Sequence, residues 1–169
     1  SGNIDSCTFN VSVVDISAPV FICPQNSNVP IDSNCNFIIP DYQFELNPVD
    51  NCDTNINFIQ SPNAGDTISG IGTQQTVALF ATDFYGNTSS CTFTITLIDT
   101  TPPTITCPSD QYIDIDANCL YIVTDVTVLT SAFDYCDPFP TITQSIVVGA
   151  TAGGITPLSL TAMDNSGNT

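Results

Sequence analysis

The sequence predicts an all-β chain made of small antiparallel sandwiches in tandem. Three observations lead there. Composition comes first: sixteen Asp stand against a single Glu, with twelve Pro and nine Gly. Asp, Pro and Gly favour turns and caps over helix interiors, so helix content should be very low. Second, the eight cysteines fall at 7, 23, 35 and 52 and again at 91, 107, 119 and 136, each 84 residues after its counterpart. Third, several short runs alternate apolar with polar residues, the period of a half-buried strand.

The 84-residue offset is kept by other residues as well: Asp15 with Asp99, Pro24 with Pro108, Asp32 with Asp116, Asp41 with Asp125, Asp50 with Asp134, Asp53 with Asp137 and Gln60 with Gln144. The second copy then shortens by three residues, so that Ala81-Thr82-Asp83 matches Ala162-Met163-Asp164. A loop of variable length between strands accounts for such a slip. A period near 84 is too long for one turn of a solenoid and suits a small domain. The expected organisation is residues 1–14 as the last strand of a preceding repeat, 15–98 as a complete repeat, and 99–169 as a second repeat lacking its last strand.

Taken in order, residues 8–14 alternate with Phe9, Val11 and Val13 on one face, and are expected as that last strand. Within the complete repeat, strands are expected at 20–23, 28–31, 36–39 and 56–61. Two stronger ones follow at 76–82, with Val77, Leu79 and Ala81 inward, and at 92–98, with Phe93, Ile95 and Leu97 inward. Residues 99–169 repeat the series. Short strands at this spacing, with turn residues between them, indicate an antiparallel sandwich of immunoglobulin-like architecture.

Charge then limits what the chain can do. It has 17 acidic residues and no Lys, Arg or His, a formal charge of -17. Catalytic triads, Schiff-base lysines, phosphate-gripping lysines and His-containing metal centres are excluded. Nucleic acid is no partner, because phosphates are gripped chiefly by Lys and Arg. With 42% hydrophobic residues the chain is still expected to fold. No apolar run has the length of a membrane span, so no membrane insertion is expected. The first residues show neither the basic nor the apolar region of a signal peptide, as in a window cut from a longer or processed chain. Eight cysteines without His or close Cys-x-x-Cys pairs favour disulfides over zinc, and so an oxidising, extracellular compartment.

The motif Asp99-Thr100-Thr101-Pro102-Pro103-Thr104-Ile105-Thr106-Cys107-Pro108, followed by Cys119, Asp134-Tyr135-Cys136 and Ala162-Met163-Asp164 with Gly167-Asn168, resembles the hyalin repeat. The first copy adds Gly86-Asn87 before Cys91-Thr92-Phe93-Thr94-Ile95, and the resemblance covers essentially the whole chain. It implies an immunoglobulin-like extracellular module associated with adhesion. Long acidic arrays of this kind resemble the giant surface adhesins of gliding bacteria. Tyr135 stands where the first copy has Asn51, which speaks against that Asn as a ligand.

Four cysteines per repeat allow three connectivities, and sequence does not choose among them. In a seven-strand sandwich the first and last strands begin near one pole, which suggests Cys23 with Cys91. Cys35 would then pair with Cys52 and, by repetition, Cys119 with Cys136. Cys7 and Cys107 would be left for neighbouring repeats.

In such a sandwich three loops share a pole. They contribute Asp15, Asp50, Asp53 and Asp83 in the first copy and Asp99, Asp134, Asp137 and Asp164 in the second. Converging carboxylates suit Ca2+, which takes six to eight oxygens. The same residues also suit Asx-turns at loop tips.

Other signals are weaker. Paired Asp residues are the one familiar catalytic chemistry left, but no Asp-Thr-Gly signature accompanies them, so no enzyme is expected. Thr-x-Thr runs at 92–94, 94–96, 104–106 and 141–143 read as ordinary strand faces rather than an ice-binding ladder. Asn10-Val11-Ser12 and Asn87-Thr88-Ser89 fit the N-glycosylation pattern. Asp66-Thr67-Ile68 and Asp99-Thr100-Thr101 resemble bacterial O-glycosylation sites at Thr67 and Thr100. Phe84, Tyr85, Phe133, Tyr135 and Phe139 are expected to pack against a neighbouring repeat. The expected role is a stalk or filament segment of a secreted cell-surface adhesin serving adhesion or gliding motility, whose partners are neighbouring repeats. The alternative is a calcium-dependent module binding surface glycans or proteins.

Overall fold

The computed structural model describes residues 2–169; Ser1, where the range expected for the first strand begins, lies outside the described residues. The chain is all-β with almost no helix. Among the described residues twelve short strands form several small sheets, and one five-residue helix interrupts them.

The strongest element is a hairpin. β5 (Gln74–Thr82) and β6 (Thr88–Ile98) alternate as the sequence pattern requires. Val77, Leu79 and Ala81 are fully buried on one face of β5, and Phe93, Ile95 and Leu97 are buried on one face of β6. The Val, Leu, Phe and Ile side chains among them each contribute on the order of 1.5–3 kcal/mol relative to exposure, and the Ala81 methyl less. The turn between the strands runs from Asp83 to Asn87, with Asp83 N–H bonded to Asn87 C=O at 3.1 Å. Gly86 takes φ 89° there, a conformation that costs glycine nothing and other residues a clash at Cβ.

β1 (Ser27–Pro30) and β3 (Asn57–Ser61) complete a four-stranded sheet of order β1-β6-β5-β3. β2 (Asn36–Ile38) and β4 (Thr67–Ser69) form a separate pair. Helix α1 (Tyr42–Leu46) is capped by the Asp41 side chain, which accepts from Gln43 N–H at 3.0 Å. Tyr42 is buried edge-on against Phe93, with ring centroids 5.2 Å apart. Burial, and then the charge of Glu45, pushes its phenol above the ordinary tyrosine range.

In the second copy β7 (Thr104–Thr106) pairs with β9 (Ser131–Phe133), and β8 (Tyr121–Ile122) with β11 (Thr151–Ala152). β10 (Thr141–Gln144) pairs with β12 (Leu160–Met163), and a 3-10 turn spans Thr127–Leu129. The registers show the repeat directly. Asn57 opposes Thr82 in the first copy and Thr141 opposes Met163 in the second, so β3 advances by 84 residues and β5 by 81. The three missing residues therefore lie between β10 and β12.

A second duplicated device is a glutamine clamp. Gln60 accepts from Tyr42 N–H at 2.9 Å and donates its amide to the carbonyls of Pro40 and Pro62. Gln144 accepts from Val126 N–H and donates to the carbonyls of Thr124 and Ile146. Each ties a strand to the segment that leads into the next short helical turn.

Two compact units interleave along the chain. Among the described residues, the first comprises those up to Asn26 together with Ile38–Asp66 and Gln75–Ile95, with Ile39, Tyr42, Val77, Leu79, Ala81, Phe93 and Ile95 as its core. The second comprises Ser27–Phe37, Thr67–Gln74 and Thr96–Thr169, with Ile31, Leu97, Val123 and Ala162 buried.

Two expectations are corrected. Residues 8–14 form no strand: no neighbouring strand bonds them, and Phe9, Val11 and Val13 are 81%, 75% and 87% exposed. At 20–23 only a single bridge forms, between Val20 and Val49. Alternation makes a segment suitable for a sheet, but the hydrogen-bond partner decides whether it becomes a strand.

Candidate metal centre

Each copy brings three carboxylates from three separate loops to one point. Asp15, Asp50 and Asp83 each place an oxygen within 4.8 Å of the other two, and Asp99, Asp134 and Asp164 do the same. Two of these positions advance by 84 residues and the third by 81, the same two steps seen for β3 and β5.

The local turns explain how each carboxylate is aimed. Asp15 accepts from Ser17 N–H at 2.9 Å, and Asp50 accepts through Oδ1 from Cys52 and Asp53 N–H at 2.9 and 3.0 Å. In the second copy Asp99 accepts from Thr101, and Asp134 from Cys136 and Asp137. These are Asx-turns, and each uses one oxygen only. The other oxygen, Oδ2, is buried without a hydrogen-bond partner in Asp15, Asp50, Asp99 and Asp134 alike. In the second copy the residues themselves are deeply buried, Asp99 at 5% and Asp134 at 4% exposure.

The third carboxylate is held differently. Asp83 Oδ1 accepts from Asn87 N–H at 2.8 Å and Oδ2 from the Asn87 side-chain amide at 2.6 Å. Burial pulls the Asp83 carboxyl upward, but the side-chain and backbone bonds from Asn87, with those from Gly86 and Tyr85, outweigh it and hold it below the ordinary Asp range. Asp164 repeats this with Asn168, Gly167 and Ser166. The same amide also reaches the backbone carbonyl of Asp15 from Asn87, and that of Asp99 from Asn168, each at 3.2 Å.

Like charges this close repel by on the order of a few kcal/mol per pair at an effective dielectric near ~20. No basic side chain in the protein can offset that repulsion. The donors are all hard oxygens, and two in each cluster are buried and unpaired. That is the chemistry of a Ca2+ ligand set, with backbone carbonyls and water to complete it.

Asp53 and Asp137, expected among the ligands, lie outside the two three-carboxylate clusters. Asp53 accepts from Asn55 N–H and from Phe84 N–H, and Asp137 from Phe139 and Asn165 N–H, so both oxygens of each are used. They clamp the loop bearing Asp50 or Asp134 to the turn bearing Asp83 or Asp164. Sequence placed them in the same loops as Asp50 and Asp134, and the structure shows which N–H groups their oxygens meet.

No family model matches the chain. A curated relative named Hyalin, from Strongylocentrotus purpuratus, is 30% identical over 180 aligned residues, which cover 97% of this chain and 14% of that protein. This is a hyalin-repeat-like chain. It spans about one-seventh of the curated relative's length.

Within the hyalin-like copies the cysteines are connected in part otherwise than expected. Cys23 is bonded to Cys91, with Cα atoms 6.0 Å apart. Cys35 is bonded to Cys136 of the other copy, with Cα atoms 5.4 Å apart, in place of the expected Cys35–Cys52 and Cys119–Cys136 closures. Cys7, Cys52, Cys107 and Cys119 are free and exposed. Burial pushes the Cys52 thiol upward, and the charges of Asp15 and Asp50 add to it.

The remaining candidate positions of the hyalin-like copies lie on the surface. Thr67 and Thr100 are exposed. Asn10 is exposed too, whereas the Asn87 amide is already committed to Asp83 and Asp15. Of the aromatic residues expected to be packed, Phe84 and Phe139 are each 84% exposed, and Tyr85, Phe133 and Tyr135 are also exposed. Among the described residues no helix is long and apolar enough to cross a membrane.

Proposed function

We propose that this chain is a structural segment of a secreted, cell-surface adhesin, in which immunoglobulin-like sandwiches repeat along a stalk and calcium fixes each repeat at its acidic pole. The observation that carries the reading is the duplicated cluster, Asp15/Asp50/Asp83 and Asp99/Asp134/Asp164, set in a hyalin-like sequence, with two buried unpaired oxygens in each. A site copied into every repeat serves the repeat itself, because a catalytic centre has no need of such copying. The role is mechanical, not enzymatic. Disulfides, the Asp-Thr-Thr-Pro-Pro linker and bound calcium limit unravelling and bending, and about eight negative charges per repeat oppose collapse. The resemblance to adhesins of gliding bacteria extends the proposal to adhesion or gliding motility, with modification at exposed Thr67 and Thr100. Intact mass before and after deglycosylation checks that modification.

Calcium titration followed by calorimetry tests the central claim. Binding of two Ca2+ per chain, with a melting temperature that rises in calcium and falls in chelator, is the expected result. No heat of binding and no shift in melting would remove calcium from the reading.

A second reading rests on the exposed aromatics beside the clusters. Phe84 and Tyr85 meet edge-on at 5.6 Å and Phe133 and Tyr135 at 5.0 Å. These loops would engage glycan or protein directly with calcium as co-ligand. Calcium-dependent retention on a glycan or matrix surface, lost on Tyr135→Ala, favours that module over the stalk.

A further inference from the structure

We propose that all eight cysteines obey one bonding rule that runs along a tandem array, so that each repeat is joined to the next by a disulfide as well as by the backbone. The inference rests on the array reading above. In the rule, a cysteine of the Cys23 type bonds the one 68 residues later, and a cysteine of the Cys35 type bonds the one 101 residues later, in the following copy.

The free cysteines decide between this rule and local pairing. Adding 68 to Cys107 or 101 to Cys119 passes residue 169, and subtracting 68 from Cys7 or 101 from Cys52 passes residue 1. The four free thiols are therefore the four that the rule leaves partnerless between residues 1 and 169. Local pairing would have joined Cys52 to Cys35 and Cys119 to Cys136, and neither bond is present.

Two of the free thiols, Cys119 and Cys52, are also presented as their bonded counterparts are. Cys35 has φ 62° and Cys119 φ 58°, both in the left-handed region that a side chain rarely adopts. Each is fixed there by the preceding Asp: Asp32 accepts from Asn34 and Asn36 N–H, and Asp116 from Asn118 and Leu120 N–H. Cys119 thus holds its bonded-type conformation without a bond. Cys52 likewise follows Asp50 as Cys136 follows Asp134, each N–H on the carboxylate two residues before it. Cys119 is prepared for a Cys52-type partner, and Cys52 for a Cys35-type partner, in adjoining copies.

Each bond forms when two thiols lose two protons and two electrons to the disulfide of an exchange catalyst, which is reduced to its dithiol. The consequence is mechanical. The Cys35–Cys136 bond spans the Asp99 to Pro103 linker, and the Cys23–Cys91 bond closes the repeat before it. In a continuous array every interior point is then reached by two covalent routes, and one backbone cut does not part the filament.

The test uses the native parent protein, alkylated with iodoacetamide without reductant and digested with pepsin, since trypsin has no Lys or Arg to cut after. The expected result is near-zero alkylation of repeat cysteines and a Cys119 peptide linked to a Cys52-type peptide of the following copy. A single backbone nick in the linker should leave one species on a denaturing gel until reductant divides it. Alkylated Cys119, or Cys119 linked to Cys136, overturns the rule while leaving the array reading in place. Flanking peptides without further repeats overturn both.

Discussion

Asn87 closes on Asp83 twice, through its backbone N–H at 2.8 Å and its side-chain amide at 2.6 Å. Asn168 repeats both contacts on Asp164. One carboxylate of each cluster is thereby fully bonded, while its two neighbours each keep a bare oxygen. The paired Asn orients the cluster, and the bare oxygens would receive the cation.

This pairing predicts a pH signature. Asp83 has a folded-state pKa below the ordinary 3.8, so the unfolded chain binds more protons between the two values. The stabilisation is complete above about pH 4 and is lost as pH falls through the folded pKa. Asp116, held down by Leu120 and Asn118 N–H, and Asp125, held down by Thr127, contribute with the same sign. Asn87→Ala should melt below the parent at pH 7, and the gap should close near pH 2. Urea midpoints at the two pH values measure it, and a gap of equal size at both would show that Asn87 acts through packing alone.

The division between ligand and clamp predicts different losses from neighbouring aspartates. Asp50→Asn should reduce calcium stoichiometry from two to one per chain, and Asp134→Asn should remove the other site. Asp53→Asn should keep both sites but lower stability in calcium and chelator alike, because its oxygens serve Asn55 and Phe84. At one hundred times the dissociation constant each bound ion would add about 2.7 kcal/mol. Calorimetric titration of the three variants separates these outcomes.

Burial alternates so sharply along β5 that adjacent residues should differ in cost. Leu79 is fully buried, and Phe80 is 41% exposed on the opposite face. Leu79→Ala should cost about 2–5 kcal/mol. Phe80→Ala should cost well under half of that, although it removes more atoms. Denaturation midpoints read this directly, and comparable losses would mean that the strand register is wrong.

The parts of this fold that sequence revealed are those where one strand carries its own pattern. Val77, Leu79 and Ala81 in β5, with Phe93, Ile95 and Leu97 in β6, announce both the strands and their inner faces. Residues 8–14 carry nearly the same pattern and form nothing, because a strand also needs an edge to bond. Spacing likewise located Asp15, Asp50 and Asp83 at one point, since all three follow from loops sharing a pole. It did not separate Asp50 from Asp53, which differ only in which N–H groups their oxygens face. Cysteine spacing gave the repeat but not the bonds. Cys35 lies 17 residues from Cys52 and 101 from Cys136, and the nearer thiol is not the one its turn meets.

The glutamine clamp supplies the most local of the tests. Gln60 satisfies one N–H and two carbonyls, those of Tyr42, Pro40 and Pro62, with a single half-buried side chain. Replacing it leaves three backbone groups without partners, each worth about 1 kcal/mol or more where water cannot reach. Gln60→Leu should therefore cost about 2–4 kcal/mol despite adding apolar surface. Gln60→Glu discriminates between shape and donation. The carboxylate retains the acceptor for Tyr42 but turns a second oxygen toward the Pro40 and Pro62 carbonyls, so at pH 7 it should be no better than Leu. On acidification the carboxyl gains a proton to donate, and the Glu variant should recover relative to Leu. Urea midpoints of the two variants at pH 7 and near pH 4 measure this, and a Glu variant as stable as the parent at pH 7 would show that the two donated bonds contribute nothing.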